Sequence, residues 1–102
     1  MIYYRISEFI GLEANIEIAQ LLFKQNKYLE TINTCKRILA TDSNSVESLK
    51  LIGKSFLAVR EIDDALFYFN KALTLNPDDY EVIKDLGNTY QAVGDINAVL
   101  VE

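Results

Sequence analysis

Apolar residues recur along this chain with the spacing of a helix that buries one face. In the segment 61–77, the apolar positions Ala65, Phe69, Ala72 and Leu73 follow the order i, i+4, i+7 and i+8, which is one side of a 3.6-residue period. Two of these positions hold alanine, and small residues on a buried face let a second helix approach closely. The pattern therefore predicts a helix packed tightly beside another helix.

Few residues in this sequence could form the turns of a sheet protein. The 102 residues include four glycines and one proline, whereas strands joined by hairpins need frequent turn residues. Half of the residues are apolar and a quarter are charged, which is the balance of a folded globular chain. We therefore predict a single all-α domain over residues 1–102.

The apolar pattern repeats along the chain at one fixed interval, which we call the period; it is about 34 residues long. Gly53 aligns with Gly87 and, one period earlier, with Ala19, while Phe56 aligns with Tyr90. Each period has room for two helices. The predicted first helices span 12–25, 46–59 and 80–93, and the predicted second helices span 28–40, 62–75 and 96–102.

Residues between the predicted helices of each period favour tight turns. Asn26 and the pair Gly94-Asp95 suit a left-handed residue at a helix end, whereas Arg60 adopts that conformation at a cost of about 1 kcal/mol. We therefore predict a turn at all three places, with strain in the middle one.

Residues that can cap a helix lie where one period ends and the next begins. Asn44 with Glu47, and Asp78 with Glu81, have the spacing of a capping box, and Pro77 ends the helix before the second of these junctions. We predict that Asn44 and Asp78 cap the first helices of the second and third periods.

The sequence resembles a tetratricopeptide repeat (TPR) protein over residues 12–102. The middle period carries the matching residues Leu49, Ile52, Gly53, Phe56, Ala65, Phe69, Ala72 and Pro77. The third period keeps Ile83, Leu86, Gly87, Tyr90 and Gly94. The first period departs from the pattern at Asn15, Cys35, Ile38 and Ser43.

The TPR resemblance implies an α-solenoid of about two and a half to three helix–turn–helix repeats plus a short N-terminal helix. The predicted organisation is a capping helix or arm at 1–11, repeat 1 at 12–45, repeat 2 at 46–79 and a truncated repeat 3 at 80–102. Each second helix is expected to pack against the first helix of its own repeat and that of the next. Gly53 and Gly87 are expected to provide recesses for this packing.

Charge and composition narrow the class of partner. Fifteen acidic residues outnumber ten basic ones, the net charge is −5 and there is no basic run, so no nucleic acid is expected as a partner. No window approaches 18 uninterrupted apolar residues, so no membrane insertion is expected. The single cysteine, Cys35, excludes an internal disulfide and suits a reducing compartment, which predicts a cytoplasmic location.

Residue types that carry out chemistry are scarce. The sequence has no histidine, no Gly-rich phosphate loop, no Cys/His metal spacing and no Ser-centred nucleophile motif. The acidic pairs at 63–64 and 78–79 lie near predicted helix N-termini, where negative charge is stabilising. Cys35 occupies a core position, where an inert buried thiol is expected. We therefore predict no catalytic residue, no cofactor and no metal, and no enzyme activity.

The TPR resemblance implies that the first helices of successive repeats line a concave groove, which receives a peptide or a helix of a partner protein. By position, the residues predicted to bind are Glu17, Gln20, Lys24, Lys50, Lys54, Lys84, Asn88 and Gln91. The predicted function is therefore a non-enzymatic protein–protein interaction module, or scaffold.

The charges of this groove have two interpretations. In the first, Lys50 and Lys54 pair with carboxylates of the neighbouring repeats, namely Glu13, Glu17, Glu81 or Asp85; the alternation of acidic and basic stripes favours this interpretation. In the second, a peptide carboxylate is held by Lys50, Lys54, Lys84 and Asn88. Lys84 and Asn88 have the spacing of the lysine and asparagine in the family's carboxylate clamp, although that clamp continues into later repeats.

The end of the sequence is apolar, and a terminal solenoid repeat needs a neighbour or a polar outer face. The chain is expected to be a piece of a longer repeat protein, or else a second chain supplies the missing helix. The N-terminal segment makes such a contact or covers the first repeat of its own chain. Residues assigned to self-association are Ile2, Tyr3, Tyr4, Phe9, Val99, Leu100 and Val101. The alternative functions are a structural module that forms a homo-oligomer through its uncovered terminal helices, and a regulatory fragment of a larger protein.

Overall fold

The computed structural model describes the backbone of residues 14–101 and the side chains of residues 14–94. This part of the chain forms five α-helices and no strand: α1 Ile16–Lys24, α2 Tyr28–Thr41, α3 Val46–Ala58, α4 Ile62–Leu75 and α5 Tyr80–Val101. The predicted all-α class is confirmed. The helix or arm predicted at 1–11 lies outside the described residues.

Helix boundaries recur at the predicted period. The start of α4 follows the start of α2 by one period, and the end of α3 follows the end of α1 by the same interval. The chain therefore forms two helical hairpins, α1–α2 and α3–α4, and then the long helix α5.

The first helix begins later than the repeat pattern predicts, at Ile16 rather than at residue 12. Asn15 has an extended backbone, and its side-chain oxygen accepts a hydrogen bond of 3.0 Å from the N–H of Ile18. An asparagine in this position satisfies one of the unpaired N–H groups of the first turn. The predicted start is wrong because Asn15 caps the helix instead of continuing it.

Ser45 and Asp79 cap α3 and α5. Ser45 Oγ accepts a hydrogen bond from the first turn of α3, and Asp79 Oδ1 accepts two from the first turn of α5, of 3.0 and 3.3 Å. The N–H of each cap donates to the carbonyl three residues earlier, which places Asn44 and Asp78 inside a turn. The predicted caps Asn44 and Asp78 are therefore wrong by one residue.

Asn26 and Arg60 turn the chain within the two hairpins. Both have positive φ, of 63° and 67° respectively. At each turn the N–H of the next residue donates to the carbonyl five residues before it, at 2.9 Å, as in a Schellman motif. The turns predicted at Asn26 and Arg60 are confirmed, and Arg60 carries a conformational cost of about 1 kcal/mol that glycine would avoid.

Two apolar clusters form the core. One contains Leu49, Ala65, Phe69, Ala72, Val82 and Leu86, from α3, α4 and α5. The other contains Ala19, Ile32, Cys35, Leu51 and Ile52, from α1, α2 and α3. Because each cluster joins three successive helices and α3 contributes to both, the core continues along the repeat rather than closing around one centre.

The α3–α4 hairpin is closely packed at Gly53. A Cβ atom there would lie 2.6 and 2.7 Å from two ring carbons of Phe69, and the Phe69 side chain is fully buried. The predicted recess at Gly53 is confirmed. The recess predicted at Gly87 is wrong for the described part of the chain, because no returning helix lies beside α5 there and no atom comes within 4 Å of the corresponding Cβ position.

The long helix α5 continues through the predicted turn at Gly94-Asp95. It extends from Tyr80 to Val101, and no glycine within the described range has positive φ. A glycine inside a helix costs only about 1 kcal/mol relative to alanine, which is too little to end a helix without the burial that a returning helix provides. The separate helix predicted at 96–102 is therefore wrong.

Candidate functional site

Three first helices lie side by side: α1 packs beside α3, and α3 packs beside α5. Two polar contacts show that these neighbours are related by the repeat. Gln20 Nε2 donates to Glu47 Oε2 at 3.4 Å, and Lys54 Nζ donates to Glu81 Oε2 at 2.6 Å. Both residues of the second contact lie one period after those of the first. Together α1, α3 and α5 therefore form one continuous face, which we call the first-helix face.

A network of charged residues joins α3 to α5 on this face. Lys50 Nζ lies 3.0 Å from Asp79 Oδ2 and 2.6 Å from Glu81 Oε1. Lys54 Nζ lies 2.6 Å from Glu81 Oε2 and 3.8 Å from Asp85 Oδ2. Lys50 and Lys54 therefore pair across repeats, as the alternation of charges predicted, and their partners lie on α5 and in its N-terminal cap.

The pKa values of the network follow from these contacts. Hydrogen bonds from Lys50, and for Glu81 also from Lys54, lower the pKa values of the Asp79 and Glu81 carboxyls. Although its burial acts in the opposite direction, Lys50 has a raised pKa because both carboxylates stabilise its charged form. All three groups are therefore held in their charged states.

Asp85 differs from the other carboxylates. Burial raises its pKa, and this outweighs the attraction of Lys54. Within the described part of the chain, its buried Oδ2 atom has no hydrogen-bond partner, since Lys54 Nζ is 3.8 Å away. A buried carboxylate oxygen without a donor is costly, so Asp85 is the unsatisfied member of the network.

A shallow depression of about 100 Å³ opens beside the network. Its lining residues are Gln20, Glu47, Lys50, Leu51, Lys54 and Glu81. Leu51 is almost fully buried, whereas half of the Glu81 side chain is exposed. The depression is therefore lined mostly by polar and charged side chains, two lysines and two glutamates among them, at the centre of the first-helix face.

The other predicted binding residues surround this centre. Glu17, Gln20 and Lys24 lie exposed on α1, and Lys84, Asn88 and Gln91 lie exposed on α5. Lys84 and Asn88 follow Lys50 and Lys54 by one period, so they project from α5 in the direction in which the two lysines project from α3. The structure thus brings Gln20, Lys50 and Lys54 around the depression. The other five residues line the helices on either side of it.

Asp79 was not predicted to take part in this network. Sequence reasoning treated it as one of a pair of capping carboxylates, but its side chain caps α5 with one oxygen and binds Lys50 with the other. The signal lies in the repeat, because Asp79 follows the Ser45 cap by one period. Alignment of the two junctions would have placed Asp79 at the cap, next to α3.

Neither a metal nor a reactive thiol is evident at this face. Within the described residues, no three potential metal ligands come together. Cys35 is fully buried in the α1–α2–α3 cluster, and burial raises the pKa of its thiol to about 12.

The predicted self-association residues Ile2, Tyr3, Tyr4, Phe9, Val99, Leu100 and Val101 lie outside the described side chains. None of the five described helices combines the length with the apolar composition that a membrane span requires.

Comparison with solved structures identifies the fold. The first TPR domain of Spaghetti (RPAP3), bound to the HSP90 peptide SRMEEVD, superposes with a TM-score of 0.74; the match covers 79% of this chain and 68% of that one at 19% identity. The chain has the TPR fold. The first TPR domain of human RPAP3 gives a TM-score of 0.73, covering 76% of this chain and 61% of that one at 19% identity. The predicted TPR solenoid is confirmed.

Two curated proteins are similar to parts of this chain, and each match is a small part of the relative. FK506-binding protein 59 of Drosophila melanogaster is 37% identical over 54 residues, which are 53% of this chain and 12% of that protein. Superkiller complex protein 3 of Homo sapiens is 26% identical over 83 residues, which are 81% of this chain and 5% of that protein. The matched stretch thus spans at most 12% of either relative. No protein-family model matches the chain.

Proposed function

We propose that this TPR domain is a non-enzymatic protein-interaction module whose first-helix face binds an extended peptide or a helix of a partner protein. The observation that carries the proposal is the continuity of that face. The helices α1, α3 and α5 stand next to each other in repeat register, with a depression at their centre. The apolar clusters lie behind them, so polar side chains are available to a ligand without loss of the core.

The similarly folded RPAP3 domain supports the proposed class of ligand, since its structure holds a peptide of HSP90. Lys84, Asn88 and Gln91 supply exposed polar groups on α5 that form no hydrogen bond within the described part of the chain. Such groups can set the register of a peptide by charge-assisted hydrogen bonds. We place the module in the cytoplasm, because its one thiol is free and free thiols suit a reducing compartment.

Selection of peptides from a random display library tests this function. The selected peptides should shift the amide NMR signals of α1, α3 and α5 and leave those of the α2 surface unchanged. Asn88→Arg should weaken binding by about tenfold, because the larger side chain obstructs the first-helix face. Asn33→Arg, the same change at an exposed position of α2, is the matched control. Selection of no peptide, or equal loss of binding in both variants, would contradict the proposal.

Self-association is the second candidate function, and one surface of α5 favours it. Ile83 and Tyr90 are about half exposed, at 45% and 55%, although their counterparts one period earlier, Leu49 and Phe56, pack in the α3–α4–α5 cluster. A second copy of the chain could cover this surface. Light scattering over a range of concentrations decides: a molar mass that stays at the monomer value at high concentration removes this candidate.

A further inference from the structure

Two apolar side chains of α1 are exposed at positions that are buried in the later first helices. Ile18 is 38% exposed and Leu21 is 55% exposed. Their counterparts one and two periods later, on α3 and α5, are all buried, namely Ile52, Ser55, Leu86 and Thr89. The first repeat therefore shows apolar surface where the repeat pattern requires a neighbour.

The later positions are buried because a preceding hairpin lies against each of these helices. Ile52 packs in the cluster formed by α1, α2 and α3, and Leu86 packs in the cluster formed by α3, α4 and α5. No hairpin precedes α1 within residues 14–101. Ile18 and Leu21 thus form an apolar surface without a partner in the described part of the chain, which we call the upstream face.

The occupant that suits the upstream face differs from the second helix of a regular repeat. Ser55 and Thr89 are small side chains, whereas the same position of α1 holds the larger Leu21, which leaves less room for the close approach of a helix. In addition, α1 begins only after the Asn15 cap and lacks the first turn that the repeat pattern predicts. Terminal elements of a solenoid are often atypical in this way, so an element particular to this chain fits better than another regular hairpin.

The segment that precedes α1 has the pattern of such an element. It carries four apolar residues at the spacing i, i+4, i+7 and i+8, namely Ile2, Ile6, Phe9 and Ile10. This spacing is one face of a helix. The buried face of α4 has the same spacing, from Ala65 to Leu73. The segment can therefore present a continuous apolar stripe to α1.

The short linker favours the chain's own segment over a second copy. Residues 11–15 join the apolar stripe to α1. The junctions at 42–45 and 76–79 show that four residues are enough to bring the chain back beside a first helix. A short linker raises the effective concentration of the segment at its site into the millimolar range. A second copy at lower concentration competes poorly with it.

We propose that residues 2–10 pack as a helix against the upstream face of their own chain and end the solenoid on that side. The segment covers Ile18 and Leu21, so that two apolar surfaces leave water together. The proposal does not depend on the proposed function, because neither residue is among those predicted to bind a peptide.

NOE contacts in the full chain test the proposal. The ring protons of Phe9 should give NOEs to the methyl groups of Ile18 and Leu21. An isotope-filtered spectrum of mixed labelled and unlabelled protein should lack these NOEs, because the contact lies within one molecule. The absence of any NOE from residues 2–10 to Ile18 or Leu21 would overturn the proposal. Contacts found only between molecules would overturn it as well, in favour of a second copy.

Serine substitutions give an independent measurement by urea unfolding. Leu21→Ser should raise the equilibrium constant for unfolding by about fivefold or more, because the segment buries this leucine. Leu29→Ser, at a leucine of α2 that is 69% exposed, is the matched control and should change it by less than about twofold. Within the segment, Phe9→Ser should act like Leu21→Ser, whereas Tyr4→Ser, on the opposite side of the predicted helix, should have little effect. Equal effects within either pair of variants would overturn the proposal.

Discussion

At position 53 a glycine is required, because the ring of Phe69 occupies the space that a side chain would need. Position 87 holds the same residue in the same slot of the next repeat, yet its surroundings are open in the described part of the chain. The repeat pattern predicts that equivalent positions, such as 53 and 87, hold similar residues. It does not predict whether the neighbouring helix is in place, since that depends on packing elsewhere in the chain.

Alanine substitutions at these two glycines should have opposite effects. Gly53→Ala should destabilise the protein by about 1–3 kcal/mol, because the fully buried Phe69 ring cannot move aside without disturbing the core. Gly87→Ala should stabilise it by about 0.5–1 kcal/mol, because alanine loses less backbone entropy in a helix. Urea unfolding of both variants measures the difference. Equal effects of the same sign would contradict the packing described for α3 and α4.

Replacement of Arg60 by glycine should increase the stability of the protein. Its φ of 67° is a conformation that glycine adopts without steric cost. Arg60→Gly should therefore stabilise the protein by about 0.5–1 kcal/mol, once the greater entropy of the unfolded glycine is subtracted. Arg37→Gly, inside α2, should cost about 1 kcal/mol and serves as the control. Thermal unfolding checks both, and a loss of stability in Arg60→Gly would contradict a left-handed residue at this turn.

At the scale of the elements, the ion pairs between α3 and α5 make stability depend on pH. The pKa values of Asp79 and Glu81 are lowered by folding, so their contribution is present above the ordinary carboxylate range and is lost as the pH falls through it. Asp85 acts in the opposite sense. Its raised pKa means that the cost of burying its charge is present at neutral pH and disappears on protonation.

Removal of one lysine should expose this dependence. Lys50→Met keeps the aliphatic stem and should cost about 1–3 kcal/mol at neutral pH, because Asp79 and Glu81 lose a charged donor. The difference from the unaltered protein should narrow below about pH 4, where the carboxylates take up protons. Lys71→Met, at an exposed position of α4, is the control. A cost for Lys50→Met that is the same at pH 7 and at pH 3 would contradict the assigned pairs.

A neutral side chain at position 85 should stabilise the free protein. Asp85→Asn keeps the shape of the side chain but removes the charge whose burial raises the pKa of Asp85. The variant should therefore be more stable than the unaltered protein at neutral pH, with the advantage lost as the pH falls below the pKa of the folded Asp85. Urea unfolding at several pH values tests this. A destabilised variant at neutral pH would show that the contact with Lys54 is strong enough to compensate for burial.

Local sequence signals predicted two of the turns correctly but misplaced the helix caps and one helix end. Asn26 and Arg60 could be predicted at turns because the two helices of each hairpin bury their apolar faces against each other. The chain must then reverse direction between them, and the residue at the turn adopts a positive φ. The caps of α3 and α5 were misplaced by one residue, because each junction holds two adjacent residues of types that favour the N-cap position. The break at Gly94 was predicted from the repeat and from the tolerance of glycine for positive φ. A single glycine cannot end a helix when no burial compensates for the lost backbone hydrogen bonds.

At the scale of the whole molecule, the fold follows from the apolar period, because each hairpin must bury its apolar face against the next. The TPR resemblance placed the proposed binding face on the first helices, and the alternation of charged stripes predicted that Lys50 and Lys54 pair with carboxylates of α5. The period could not predict that the buried Oδ2 atom of Asp85 would lack a hydrogen-bond donor within the described part of the chain. That feature depends on small differences in distance between side chains of two separate helices, α3 and α5.

The order of the helices is the central claim, and NOE contacts in solution test it most directly. An open solenoid predicts NOEs between α1 and α3 and between α3 and α5, with the Gly53 α protons in contact with the Phe69 ring, and none between α1 and α5. NOEs between α1 and α5, together with no contact between Gly53 and Phe69, would show helices gathered around one closed centre. That result would contradict both the repeat and the binding face proposed for α1, α3 and α5.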